Sequence, residues 1–304
     1  GDPHELMRFA DIAMYQAKRL GKDRYEVYNP AMNAWAEARL NLELDLRKAL
    51  ERGEFRLVYQ PIWSLNAKRV TGLEALIRWH HPKRGSVSPA DFIPLAEENG
   101  LIIPIGRWVL DEVCRQLAQW QERYPGAQLP AMSVNLSLRQ FQDPALAGEF
   151  EEIVRRHGLK PGAIQLEITE STLMLDQAAT LRTLKRLSDV GFYLALDDFG
   201  TGYSAWAHLK GFPFNCIKID RSFMHGLGQD EESAAIVAAM IDLARALGLE
   251  VVAEGIETEL QLDVLRALGC GKGQGYLLSR PLPVTETEAL VAAGAGPLVD
   301  EERS

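Results

Sequence analysis

Cysteine is scarce and scattered in this chain: 304 residues hold three, Cys114, Cys216 and Cys270. Their odd number and irregular spacing exclude a disulfide framework and a thiolate-bound metal, and fit a reducing compartment. Long apolar runs are missing too. No stretch approaches the ~18 consecutive apolar residues of a membrane span, and no leader-like start is visible. Basic charge is in short supply: 33 Lys and Arg against 42 Asp and Glu leave a formal net charge of −9. That argues against a groove that binds DNA or RNA by neutralising phosphates. A small anionic ligand stays open, because a bound metal ion inverts the field around it. No tandem repeat or low-complexity tract is present. The glycines of LGCGKGQGYL lack the Lys-Ser/Thr pair of a phosphate-cradling loop.

What is present is an ordinary globular composition, 47% hydrophobic and 25% charged, with enough chain for a large core. The opening RFADIAMYQAKRLG predicts an amphipathic helix through Phe9, Ile12, Met14 and Tyr15, and RYEVY a short strand. One helix and one strand cannot bury a core, so residues 1–28 are expected to be the tail of an upstream domain. Leu42, Leu46, Ala49 and Leu50 predict a linker helix over about 33–52, within a segment 29–53 that leads into the main domain.

From residue 54 the chain alternates. Strands are expected near 55–62, 69–76, 131–136, 163–168, 192–197, 214–219, 249–253 and 274–278. Helices are expected at 105–124, 144–157, 176–189, 203–210, 231–247 and 257–268. The strands are continuous apolar runs, as in a parallel sheet covered by helices. Polar strand ends recur about every 30 residues, the size of a β-α unit; eight strands in about 250 residues, with functional groups at six or more strand ends, favour a closed barrel over an open sheet, which gathers its site at one switch point. FRLVYQPIWSLNAKRVTGLEAL has no room for a crossover helix and predicts a hairpin turning at Leu65–Lys68. An α/β barrel with an antiparallel irregularity at its first strands follows, over residues 54–285, with 286–304 as a tail.

The strand ends carry the chemistry. Glu74 in TGLEAL, Asn135 in SVNLS, Glu167 in QLEITE, Asp197 and Asp198 in ALDDFG, Lys218 in CIKID and Glu254 in VVAEGIE all close apolar runs. Singly, each reads as a core ion pair. Jointly, buried carboxylates would repel one another, and a divalent cation is the cheapest partner. Oxygen donors without histidine or cysteine point to Mg²⁺ or Mn²⁺. Asp197 and Asp198 cannot both face inward from a regular strand; a turn there, with Gly200 and Gly202 beyond it, would let both coordinate. Glu170 is expected to anchor that loop. Lys218 is either a snorkelling lysine or an ammonium fixed near an attacking water or phosphate oxygen. Glu254, with Glu257 nearby, is a candidate ligand or base. Gln60 and Gln274 suit ligand hydrogen bonding or the surface, and the His80–His81 pair reads as loop structure.

These motifs resemble the EAL family of cyclic di-GMP phosphodiesterases. Glu74-Ala75-Leu76 stands in GLEALIRWHHPKRGSVSPADFIPLAEENGLI, and VNLSLRQF, QLEITE, LALDDFGTGYS, FNCIKIDRSF, VVAEGIET and QGYLLSRPLP follow in family order across about residues 36–285. The opening ADIAMYQAKRLGKDRYEVY is similar to the C-terminal end of a GGDEF domain, whose own signature and nucleotide site are absent from these residues. The resemblance implies a modified TIM (β/α)8 barrel with an antiparallel first strand, and two Mg²⁺ or Mn²⁺ ions per site. Glu74, Asn135, Glu167 and a shared Asp197 would hold the first ion and Asp198 the second. Lys218 and Glu254 would hold or activate the water, with Glu254 also a metal ligand. Gln60, Arg78 and Gln274 would position substrate, and Glu170 would anchor the loop.

The implied reaction is hydrolysis of cyclic di-GMP to linear pGpG; the alternative is a non-catalytic receptor of the same ligand. The implied setting is a cytoplasmic homodimer, formed through the barrel. It would be the output region of a larger, membrane-anchored protein with an upstream GGDEF domain, and these residues would touch neither membrane nor nucleic-acid polymer. The departure from the family pattern is YSAWAHL in place of YSSLxxL. It puts bulky Trp206 where dimer contact and regulation, rather than chemistry, would feel it.

Overall fold

A computed structural model of the protein describes residues 2–19, 25–173, 176–202 and 209–293. The chain divides into two units, Gly1–Phe55 with Trp79–Asn99, and Arg56–Arg78 with Gly100–Ser304.

The first unit contains helices α1 (Pro3–Arg19) and α2 (Ala31–Ala49), the end of strand β2 (Arg69–His81), strand β3 (Gly85–Val87) and helix α3 (Pro89–Asn99). Its apolar centre is aromatic. Phe55, Trp79 and Phe92 are fully buried, with ring centroids 5.6–6.0 Å apart, and the Trp79 indole donates to Glu54 Oε2 at 2.8 Å. His81 Nδ1 accepts the backbone N–H groups of Lys83 and Arg84 at 3.2 and 3.1 Å, so this imidazole organises the turn into β3. One expectation fails here. RYEVY forms no strand: residues 25–29 lack regular structure, and Tyr25 and Val27 stay 87% and 73% exposed. Strand-forming side chains do not make a strand by themselves; the backbone has to join a ladder. The sequence reading also passed over α3, whose interior Pro94 removes a helical donor yet is tolerated.

The second unit is a closed barrel wrapped by helices. Its strands are β1 (Phe55–Ser64), β2, β4 (Ala131–Asn135), β5 (Ile164–Thr169), β6 (Tyr193–Phe199), β7 (Cys216–Ile219), β8 (Glu250–Ala253) and β9 (Lys272–Gly273). Their order is β1-β9-β8-β7-β6-β5-β4-β2, closed by a β1–β2 pairing, with β1 antiparallel to β9. The pairings from β2–β4 round to β8–β9 are parallel. The hairpin turn falls at 65–68, as expected. Helices α4 (Ile102–Arg123), α5 (Leu138–Phe141), α6 (Leu146–Arg156), α7 (Glu170–Leu173), α8 (Gln177–Val190), α9 (Glu231–Leu247), α10 (Glu259–Ala267) and α11 (Val284–Ala292) complete this unit. Local chemistry sets their ends: Asp230 accepts from Ser233 N to open α9, and Gly248, at φ 71°, closes it.

The last strand was misplaced by the sequence reading. It is Lys272–Gly273, and the chain then bends at Gly275 into a turn over 276–278. Close packing explains this: a Cβ on Gly275 would lie 2.1 Å from the Ile256 carbonyl oxygen, and one on Gly273 2.5 Å from Ile256 Cδ1. The chain passes too near its neighbour for side chains that would mark a strand. Trp206 and most of the helix expected at 203–210 lie outside the described residues; Leu209–Gly211 is a 3₁₀ turn.

Candidate active site

Strand parity assembles the site. Ile62, Ala195, Cys216 and Val252 form one buried layer inside the barrel. Side chains two residues further along a parallel strand face the same way, one layer higher. That step gives Asp197, Lys218 and Glu254; on antiparallel β1 it runs backwards and gives Gln60. The ladder Asn135↔Glu167 adds two neighbours, and Glu74, paired with Ser133, stands beside them.

Lys218 is the hub. Its ammonium is 1% exposed and lies 2.7 Å from Glu167 Oε2, 2.7 Å from Glu254 Oε1, 3.4 Å from Asp197 Oδ1 and 3.6 Å from Glu74 Oε2. Glu74 is gripped further: Asn135 Nδ2 donates to its Oε1 at 2.8 Å and Gln274 Nε2 to its Oε2 at 2.7 Å. Gln274 also donates to Gln60 Oε1 at 3.0 Å, and Gln60 to the Ser279 carbonyl at 3.1 Å.

The charges respond to burial and to one another. Burial pushes the Glu167 carboxyl up to about 8; Lys218 opposes this, while Glu74 and Asp197 add to it. Burial takes Glu254 to about 7 in the same way. Burial would raise Glu74 as well, but the Lys218 ammonium and the hydrogen bonds from Gln274 and Asn135 hold it below the ordinary carboxylate value. Burial alone would discharge Lys218, yet the surrounding carboxylates, Glu167 foremost, keep it firmly charged.

Asp198 stays within β6 but breaks its regularity. It takes φ 53°, the β6–β7 register shifts between Leu196 and Phe199, and its half-buried carboxyl is raised by burial and by Asp197 and Asp220. The following loop closes on Glu170, whose Oε2 accepts Gly200 N at 2.9 Å and Gly202 N at 3.3 Å. A Cβ on Gly202 would lie 2.6 Å from Glu170 Oε1, so only glycine allows this approach.

Among the described residues, no group of three or more acidic, histidine or cysteine side chains stands in metal-holding geometry. The carboxylates turn to the Lys218 ammonium instead. The donor set still suits a hard cation: every donor is oxygen, and Asp197 Oδ1 and Gln274 Oε1 are buried without a hydrogen-bond partner.

Residues 43–281 match the family described as the EAL domain. The chain belongs to the EAL-domain family. Over 289 residues it is 46% identical to the bifunctional diguanylate cyclase/cyclic di-GMP phosphodiesterase MucR of Pseudomonas aeruginosa, covering 95% of this chain and 42% of that protein. It thus spans less than half the length of that relative. The solved structure of the PaMucR phosphodiesterase in complex with c-di-GMP superposes with a TM-score of 0.77 at 46% identity, covering 81% of this chain and 99% of that one. The EAL enzyme Bd1971, bound to cAMP and cyclic di-GMP, gives a TM-score of 0.81 at 35% identity, covering 94% and 74%.

The EAL barrel opens beside Lys218 into a cavity of about 270 Å³. Gln60, Glu74, Asp197, Lys218, Glu254 and Gln274 line it; Asn135, Glu167, Asp198 and Arg78 do not. Half-buried Arg78 instead donates Nη1 to the Ile77 carbonyl at 2.9 Å, where burial lowers its pKa and Tyr276 and Glu74 oppose the drop. The sequence reading missed Arg221 and Tyr276, which also line the cavity. Tyr276 could have been found from QGYLLSRP, two residues after Gln274; Arg221 carries no such signal.

Proposed function

We propose that this EAL domain hydrolyses one phosphodiester bond of cyclic di-GMP to give linear pGpG. One observation carries this reading: Lys218, Glu74, Glu167, Asp197 and Glu254 meet at one mouth of the barrel, beside an open cavity. The likeness to a phosphodiesterase solved with c-di-GMP supports the choice of substrate.

Glu74, Asn135, Glu167, Asp197, Asp198 and Glu254 would hold Mg²⁺ or Mn²⁺, two per site. When bound, the ions supply positive charge to a phosphate oxygen and lower the pKa of the attacking water. Lys218 adds a fixed charge where negative charge grows on the phosphate oxygens. Glu254, which lines the cavity beside Lys218, is placed to orient the attacking water or take its proton. Water oxygen bonds to phosphorus in line with the leaving 3′-oxygen, the P–O3′ bond breaks, and the proton ends on that oxygen. Gln274 and Gln60 brace Glu74 and position the ligand together with Arg78, while Glu170 holds the loop that presents Asp198.

Residues 1–28 are assigned to the end of an upstream GGDEF domain, 29–53 to a linker helix, 54–285 to the EAL domain and 286–304 to a tail. The long alignment with a bifunctional cyclase/phosphodiesterase supports this division. A homodimer through the barrel, and a cytoplasmic output role within a larger membrane-anchored protein, complete the proposal. No helix among the described residues is long and apolar enough to cross a membrane.

Incubation with cyclic di-GMP and Mg²⁺ or Mn²⁺, with products separated by chromatography, tests the reaction. Glu74→Ala should nearly abolish pGpG formation while the fold is kept, and full activity in that variant refutes the role given to Glu74. Tight ligand binding without product, with either ion, would establish a receptor instead.

A further inference from the structure

Two strands carry a polar side chain one layer below the charged cluster, where their neighbours carry none. Two residues before Asp197, Lys218 and Glu254 stand Ala195, Cys216 and Val252, which pack with Ile62 as an apolar layer beneath the site. Two residues before Asn135 and Glu167 stand Ser133 and Gln165, a hydroxyl and an amide on paired positions of β4 and β5. Polar groups in an apolar layer cost free energy unless they are hydrogen-bonded. Ser133 is 2% exposed and Gln165 is half-buried, and neither lines the cavity, so their partners lie inside the barrel.

The hydrogen bonds show what this pair does. Gln165 Nε2 donates to Ser133 Oγ at 3.0 Å and to Glu167 Oε1 at 3.4 Å. An ionised Glu167 offers acceptors only, so the amide turns its nitrogen to it, and both N–H groups of that nitrogen are engaged. Glu167 is enclosed, at 1% exposure. Lys218 Nζ takes its Oε2 at 2.7 Å, and Gln165 is the donor that reaches the other oxygen.

A 3.4 Å contact is long for an amide hydrogen bond and adds little to the stability of the fold. It does set the rotation of the carboxylate. Lys218 pins one oxygen, and Gln165, itself tied to Ser133, fixes where the second one points. Gln165 and Ser133 stand a layer away from the cavity, so they act through Glu167 and touch no substrate.

We infer that Gln165, held by Ser133, is a positioning residue that turns the Glu167 carboxylate for binding of a divalent cation. This rests on the metal-ligand role proposed for Glu167 above. Side chains that orient metal ligands govern roughly 10- to 100-fold in metal affinity.

Calorimetric titration with Mn²⁺, and thermal melts in EDTA, test it on wild type, Gln165→Met, Ser133→Ala and the double variant. Methionine keeps the length of the side chain and removes both donors. Gln165→Met should raise the Mn²⁺ Kd by roughly 10- to 100-fold, while its melting temperature in EDTA falls by no more than about 3 °C. Ser133→Ala frees the amide and should give a smaller rise in Kd. In the Gln165→Met background it should add no more than about twofold, because both residues act along one chain of contacts. An unchanged Kd in Gln165→Met overturns the inference. So does a large fall in melting temperature with Kd held, or full additivity of the two substitutions. If Gln165→Met does not fold, Ser133→Ala decides by the same comparison of Kd. Wild type that binds no Mn²⁺ would refute the metal-ligand role of Glu167 and the inference with it. Wild type that binds Mn²⁺, beside an indifferent Gln165→Met, would refute the inference alone.

Discussion

Replacing Lys218 by methionine should turn the most heavily paired group of the barrel into its largest defect. The ammonium attracts carboxylates at 2.7, 2.7, 3.4 and 3.6 Å. With all four ionised and an effective dielectric constant of about 20, the two nearest contribute about 6 kcal/mol each and the others about 5. Most of that offsets the desolvation of five charged groups and the repulsion among the carboxylates. Breaking a buried pair from one side leaves a net loss of about 3–5 kcal/mol. Protonation sets a limit on the loss, and its sign follows from the raised carboxyl groups. Glu167, at about 8, and Glu254, at about 7, bind more protons folded than unfolded between their ordinary value of 4.5 and those values. Their contribution to stability is therefore fully present at low pH and lost as pH rises through 7 and 8. Without Lys218 both groups rise further, so the variant suffers more at pH 8 than at pH 6. Urea unfolding in EDTA at both values reads this directly, and saturating Mn²⁺ should recover more stability in the variant than in wild type. A loss under about 1 kcal/mol at pH 8, the worth of an exposed pair, would refute the hub.

Three further outcomes follow from the same geometry. Because Glu167 and Glu254 carry protons near neutrality, binding of Mg²⁺ or Mn²⁺ at pH 7 should release protons, and affinity should climb until above pH 8. Calorimetry in buffers of different ionisation enthalpy measures the release, and none would contradict the ligand roles. Glu170→Ala strips the acceptor from Gly200 N and Gly202 N, and should cost about 1–3 kcal/mol along with most activity, with Glu170→Gln between; full turnover in the alanine variant would sink the anchor. Gly275→Ala places a Cβ 2.1 Å from the Ile256 carbonyl oxygen and should destabilise by at least about 1–3 kcal/mol, whereas Gly148→Ala in α6, with open space around it, should stabilise by about 0.5–1 kcal/mol; thermal melts separate the two.

The site was legible because its residues break a rule their neighbours obey. Glu74, Glu167 and Lys218 interrupt apolar runs that would otherwise be plain barrel strands, and such exceptions mark function. Asp197 and Asp198 marked a break in strand regularity, since adjacent residues of a regular strand face opposite ways, and φ 53° at Asp198 is that break. What local pattern could not carry was rank among these groups. Lys218 looked like one rim residue among several, and only the parity of strands far apart in the chain makes it the common partner of four carboxylates. The fold was lost at its weakest signals. β9 is two residues long and written in Lys272 and Gly273, which have no strand preference, whereas Tyr25–Tyr28 has strong preference and joins no sheet. Both failures have one cause: a strand is made by what pairs with it. The barrel supplies neighbours to Lys272–Gly273 on both sides, through β1 and β8. That same closure forces Gln274 beneath Glu74 and leaves Tyr276 at the rim. The poorest strand by composition is thus the one that positions the glutamine bracing Glu74, because backbone proximity, which favours glycine, is what its place in the barrel requires.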